Sequence, residues 1–303
     1  MEKRYYSANE FFKQKFGEKV YKLALAGGYT CPNRDGKAGF GGCAFCSGAG
    51  SGDFAESRDS GDFDEQLRLA QIRLKNKSTG NKFIAYFQSF TATYASADYV
   101  ENLIAPALKS GAICSLSLAT RPDCLENDVL EILKNAAKEK PLFIELGLQT
   151  SNETTAEKIN RCYKNAVYES AVEKLKKIGA NVITHLIFGL PNETEKDMLD
   201  SVAYACEFTD GLKLQLLHVL RGTALEKAYL NGEFETLTSE TYADILCKAI
   251  SIIPRDKVIH RITGDAPKKD LIAPLWSADK KRVLNYINRE LEKRNVFQGC
   301  AIN

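Results

Sequence analysis

The chain has 303 residues, 44% hydrophobic and 26% charged, with nine cysteines and a formal net charge of +2. This size and balance suit a globular protein with a large core and exclude a disordered or low-complexity chain, while the weak net charge points neither toward nucleic acid nor away from it. The N-terminus, MEKRYYSANEFFKQKF, lacks the apolar core of a secretory signal, and no apolar run approaches the roughly 18 residues that span a bilayer, so the expectation is a cytoplasmic protein with no membrane partner.

In a reducing compartment an odd number of cysteines argues against a disulfide framework and toward metal binding or catalysis. A first strand is predicted at YKLALA, residues 21–26, and it runs directly into TCPNRDGKAGFGGCAFCSGAGSG, residues 30–52, which holds Cys31, Cys43 and Cys46. Further apolar runs follow at KFIAYF (82–87), AICSLSL (112–118), LFIELGL (142–148), NVITHLIF (181–188) and LKLQLLHVL (212–220). Helical segments with apolar residues three and four apart separate them: FDEQLRLAQIRLKNK, ADYVENLIAPALKSG, NDVLEILKNAAKEK, AVYESAVEKLKKIG and EKDMLDSVAYACEFT. Gly111 and Gly179 stand where two of these helices stop.

The alternation predicts an α/β fold with parallel strands, a partial (βα)6 or complete barrel or, with the same local pattern, an open doubly wound sheet. After about residue 232 the rhythm changes to a helix (TSETYADILCKAISII), a short β-like run (KVIHRI), a Gly/Pro/Lys loop and a basic helix. The expected organisation is therefore a barrel core over 1–232, with a cysteine loop at 28–54, and a C-terminal extension over 233–303 packed on the barrel. Residues 277–296 carry six basic against three acidic side chains, which suits a solvated helix face or a phosphate-contacting surface.

Cys43 and Cys46 form a C-x2-C turn, and Cys31 can fold back across the intervening residues. A closed structural zinc site needs four ligands, and the next thiol along the chain is Cys114, with His185, His218 and His260 far downstream. An iron-sulfur cluster held by three thiolates leaves one iron open to a small molecule. The loop after the first strand lies where α/β proteins place their sites, and its glycines let backbone N–H groups approach a bulky anionic core, which favours the cluster. The other cysteines, Cys114, Cys124, Cys162, Cys206, Cys247 and Cys300, show no C-x2-C spacing and read mainly as small buried hydrophobes.

The triplet, with Phe45 before its last cysteine, resembles the radical S-adenosylmethionine (SAM) superfamily, and the wide first gap resembles the branch of the elongator catalytic subunit. FIAYFQSFTATYA, LATRPDCL, ELGLQT, HLIFGLPNE, LKLQLLHVLRGTALEKAY and HRITGDAP are similar to the single-domain YtqA/YhcC family over roughly residues 5–295. The resemblance implies a radical SAM barrel in which Cys31, Cys43 and Cys46 bind a 4Fe-4S cluster and SAM completes it, giving a 5'-deoxyadenosyl radical. It implies SAM contacts from Phe45, Gln88, Ser89, Gln149, Arg161, His185 and the backbone at Gly189, with Arg161 pairing the SAM carboxylate. Ala119 stands where elongator-like relatives carry glutamate before TRPD, so that carboxylate is absent. His218, on the last predicted barrel strand, is the candidate proton carrier.

The implied partners are tRNA and a one-electron reductant such as flavodoxin or ferredoxin. The implied reaction converts a 5-carboxymethylaminomethyl group on the wobble uridine to aminomethyl. Tyr86, Phe87, Phe90 and Tyr94 would then suit base stacking, and Lys280, Lys281 and Arg282 phosphate contact. A radical SAM oxidoreductase of a small metabolite and a non-catalytic metal-binding module are the alternatives.

Overall fold

The computed structural model describes residues 4–28, 30–50, 53, 55, 62–74, 80 and 82–302. Residues 29, 51, 52 and 54 of the predicted cysteine loop and 75–77 of the first predicted βα helix lie outside them. In chain order the elements are α1 (Ala8–Phe16), β1 (Tyr21–Ala26), α2 (Phe63–Leu74), β2 (Phe83–Gln88), α3 (Ala97–Lys109), β3 (Ile113–Thr120), α4 (Asn127–Glu139), β4 (Leu142–Gln149), α5 (Glu153–Lys158), α6 (Asn165–Lys177), β5 (Asn181–Phe188), α7 (Glu195–Phe208), β6 (Gly211–Leu216), β7 (Val219–Leu220), α8 (Ala224–Leu230), α9 (Ser239–Ile252), β8 (Val258–Arg261), β9 (Leu271–Ala273) and α10 (Lys280–Lys293).

Seven strands form one parallel sheet in the order β1-β2-β3-β4-β5-β6-β8, an incomplete barrel rather than a doubly wound sheet, in which strand order would reverse. The KVIHRI run supplies the seventh strand, so the C-terminal segment contributes to the sheet itself. The last predicted strand is interrupted. It ends at Leu216, where the Leu217 N–H turns back to the Phe188 carbonyl at 2.9 Å, and Val219–Leu220 pair instead with β9. His218 therefore lies in the link beyond the strand.

The helices cover the outer face with an apolar stripe; α4, for example, buries Val129, Leu130, Leu133 and Ala136. Capping fixes their starts, as where Thr194 and Asp197 close a reciprocal box on α7. At the N-terminal end of the barrel α1 packs against β8, with the Ile259 N–H donating to the Tyr6 carbonyl at 2.8 Å. Phe12 of α1 meets the rings of Phe143 and His260 at 5.4 and 5.7 Å. Phe12, Val20, Ile84, Phe143 and Ile183 make an apolar plug. Side chains two positions further along a strand share its face. Above Ile84, Phe143 and Ile183 the interior therefore receives Tyr86, Glu145 and His185.

Candidate active site

The interior above the plug is a polar layer centred on Glu145, whose side chain is fully buried. One carboxylate oxygen accepts from Lys22 of β1 and from Ser117 of β3 at 3.0 Å. The other accepts from Tyr86 of β2 and from His185 of β5, both at 2.8 Å, and from Lys213 of β6. Six consecutive strands of the barrel thus meet at one carboxylate. Burial alone would raise its pKa; Lys213 and Lys22 outweigh burial and hold it well below the ordinary carboxylate range. Burial, reinforced by the Lys213 charge, lowers His185 from 6.5 to about 4, so its ring is neutral. With Glu145 ionised, Nε2 of His185 carries the proton and Nδ1 is the acceptor.

The upper layer is the cysteine loop. The gap between Cys31 and Cys43 folds as a small hairpin, with Asp35 and Phe40 bridged, Ala38 N–H on the Pro32 carbonyl at 2.8 Å and Gly42 N–H on the Asn33 carbonyl at 2.7 Å. This returns the chain so that all three thiols line one cavity of about 150 Å3. Asn33 donates to the Asn160 carbonyl and to Cys43 Sγ at 3.5 Å, and Asn160 donates back to the carbonyls of Phe40 and Gly42 at 3.0 and 2.7 Å. Arg34 donates to the Ser47 carbonyl at 2.5 Å and lies 5.4 Å over the Phe90 ring. Two glycines are required by close approach: a Cβ on Gly28 would stand 2.4 Å from the Thr91 carbonyl oxygen, and one on Gly39 would stand 2.3 Å from Asn33 Oδ1.

Burial pushes the Cys43 thiol up to about 12, opposed by the Arg121 charge; metal binding would have to displace its proton. Among the described residues no three His, Cys, Asp or Glu side chains close around a single ion; the three thiols instead stand on the wall of the cavity. A glycine-lined cavity, three thiols and an N–H donor on one sulfur fit an iron-sulfur cluster.

The remaining predicted residues divide. Phe45, Gln88, Gln149 and His185 line the thiol cavity and also a larger chamber of about 600 Å3, so the two cavities adjoin across these side chains. Ser89 lines the thiol cavity only, and it takes a left-handed backbone with φ 91°, as does Gln149 with φ 64°. Such strain at strand ends is held by its surroundings and concentrates at sites. Arg161 is not brought to either cavity: its guanidinium is 1% exposed and is engaged by the carbonyls of Leu148, Thr150 and Tyr163 and by Asn165. It braces the turn after β4. Gly189 is also away from both cavities, its N–H on Met198 Sδ at 3.2 Å. His218 lines the large chamber.

Phe87, expected among the stacking aromatics, is buried in the outer core because it alternates with the inward Tyr86. Sequence reasoning missed Lys22, Glu145, Lys213 and Arg121. Arg121 lines the thiol cavity, pairs with Asp123 in bidentate fashion at 2.6 and 2.9 Å and covers the Tyr163 ring at 4.8 Å. The signal for the first three was a lone ionisable residue inside an apolar strand run, and for Arg121 its place at a strand's C-terminal end.

The family model described as the radical SAM superfamily matches residues 29–205, and the radical SAM C-terminal domain matches residues 209–293. The chain is 44% identical to YtqA of Bacillus subtilis over 98% of its own length and 92% of that protein's. It is 35% identical to YhcC of Escherichia coli over 95% and 92% of the two chains. The structure of Elp3 from Methanocaldococcus infernus, with an N-terminal deletion, superposes with a TM-score of 0.67 at 19% identity, over 77% of this chain and 59% of that one. That last likeness shows the barrel. The family-model matches and the two relatives together carry the assignment: the chain belongs to the radical SAM superfamily, whose enzymes use a 4Fe-4S cluster and S-adenosylmethionine.

Proposed function

We propose that this protein is a tRNA-modifying enzyme that converts the 5-carboxymethylaminomethyl group of a wobble uridine to aminomethyl. The observation that carries the reading is that the thiol cavity shares its wall with a chamber of about 600 Å3, a volume that suits a nucleoside-sized group. The resemblance to the elongator branch supplies the substrate class.

Cys31, Cys43 and Cys46 would hold three irons, and Gln88, Ser89, Gln149 and His185, on the wall of the same cavity, would contact SAM. With both cofactors bound, the site would supply a 5'-deoxyadenosyl radical able to take one hydrogen atom from a substrate carbon. The chain's own work is to position that carbon and exclude water. Phe45, Tyr86 and Gln88 lie on the shared boundary of the two cavities, and Glu145, on the wall of the thiol cavity, holds Tyr86 and His185 in place there.

Hydrogen removal from the glycine-like carbon, loss of one electron and one proton to give an imine, and addition of water release the aminomethyl uridine and glyoxylate. A carrier of the flavodoxin or ferredoxin class gives one electron and receives one, so it undergoes no net change. At the chamber's edge, α10 begins with Lys280 paired to Asp265, while Lys281 and Arg282 are exposed without ion pairs among the described residues, which suits contact with phosphates.

The test is turnover by chain reconstituted anaerobically with iron, sulfide, SAM and a reductant, on tRNA carrying the carboxymethylaminomethyl nucleoside. Aminomethyl uridine, 5'-deoxyadenosine and glyoxylate should form in equal amounts. Reversing Lys281 and Arg282 to glutamate should weaken tRNA binding and reduce its salt slope by about two. Deoxyadenosine formation that is indifferent to tRNA would overturn the reading in favour of a small-metabolite substrate.

A further inference from the structure

The HRITGDAP segment brings Arg261 and Asp265 to the wall of the large chamber. Arg261 follows β8's His260 and is one-third exposed. Its charge is felt at Tyr86, His185 and Lys213, which places a third cation over the layer that already holds Lys22 and Lys213 against the single Glu145. Glu145 cannot serve it, because five donors already occupy that carboxylate. Among the described residues the only ion pair of Arg261 is with Asp265, at 3.8 Å and so beyond hydrogen-bond length, and Asp265 is itself engaged by Lys280. A guanidinium has five N–H donors in a planar fork, and none of those here is hydrogen-bonded to a described residue.

A second group in the same corner is equally unmatched. His218 packs on Gly264, where a Cβ would stand 2.4 Å from its ring, and its Nε2 is buried without a hydrogen-bond partner. That nitrogen is sealed from the chamber, so His218 bounds the corner with the rest of its ring and does not donate into it. The planar fork calls for a planar anion with two acceptor oxygens, and a carboxylate fits that geometry better than a neutral amide or ester.

We propose that Arg261 forms a carboxylate-recognition corner of the substrate chamber, walled by the His218 ring, so that the substrate is selected for a free carboxylate presented away from the three thiols. The inference rests on reading the chamber as the substrate site, and it says what that substrate must carry whether or not it is a tRNA. Asp265 is then the competitor that holds the fork loosely when no substrate is bound. Arg261 supplies the charge and the hydrogen-bond donors, and the His218 ring walls the corner.

The experiment measures binding to the reconstituted, SAM-loaded chain of two acid and methyl-ester pairs: 5-carboxymethylaminomethyluridine with its ester, and N-benzylglycine with its ester. Each acid should bind about 10- to 100-fold more tightly than its ester, the range for a charge-assisted pair. Arg261→Gln should erase that preference, Arg261→Lys should keep part of it, and Asp265→Asn should increase it; iron content and circular dichroism verify that each variant is folded. Equal binding of acid and ester in both pairs, or a preference that survives Arg261→Gln, would overturn the proposal. A preference within the N-benzylglycine pair alone would uphold the carboxylate corner and contradict the wobble-uridine substrate.

Discussion

Glu145 is the residue on which the interior depends. It compensates two lysines whose side chains are 21% and 7% exposed, and removing one partner of such a buried set leaves uncompensated charge. Glu145→Gln should destabilise the chain by about 3–5 kcal/mol in urea unfolding, and adding Lys213→Met should restore part of the loss; a change under about 1 kcal/mol would contradict the role. Acidity should act in the same direction. The Glu145 carboxyl is held well below its ordinary value, so its contribution is complete above the unfolded pKa near 4.3 and is lost as pH falls through the depressed one.

His185 adds to this slope. Its pKa is lowered from 6.5 to about 4, so between those values the unfolded chain takes up a proton that the folded chain refuses, and stability falls as pH drops. The urea midpoint of the cluster-free chain should decline from pH 7 to about pH 4.5, and His185→Asn should flatten the upper part of that decline. A flat profile in the parent chain would contradict a buried neutral imidazole. In the sequence Glu145 sits within LFIELGL and Lys213 within LKLQLLHVL, single ionisable residues in apolar runs. Such a pattern tells that a strand faces two environments, but which distant strand supplies the partner is set by sheet order.

At the scale of elements, the hairpin between Cys31 and Cys43 is the feature that the spacing left open. Its eleven residues reach back across Asn33, Gly39 and Asn160, and the last of these comes from the α5–α6 connection. Gly39→Ala should therefore force the hairpin off its seat, with Asn33 Oδ1 and Cys162 Sγ at 2.3 and 2.8 Å from the new Cβ. Reconstitution should then give markedly less iron per chain with unchanged helical content. Full iron loading would mean that the hairpin is a free lip and not a support for the thiols. Strands and helices were legible because their periods are local; the interruption of the last strand at Leu217 was not, since it depends on the pairing of Val219–Leu220 with β9.

Across the whole molecule, the parallel order of the barrel places three layers in sequence from α1 to the cysteine loop: an apolar plug, a charged floor and a thiol-lined mouth. The C-terminal segment adds β8 to the sheet and Arg261 to the chamber. We propose that residues 233–303 act as part of one unit with the barrel, an extension that completes the substrate wall. The barrel and the three thiols were legible in the sequence, and so was the resemblance that ordered them, whereas Arg161 looked like a cavity residue until its carbonyl partners were seen.

The central claim is the reaction at the wobble uridine, and the most direct measurement of it is the modified-nucleoside profile of bulk tRNA from a strain lacking the gene. That tRNA should accumulate 5-carboxymethylaminomethyluridine and lose the aminomethyl-derived nucleosides, an effect reversed by the parent gene and not by one carrying Cys43→Ala. An unchanged profile would contradict it.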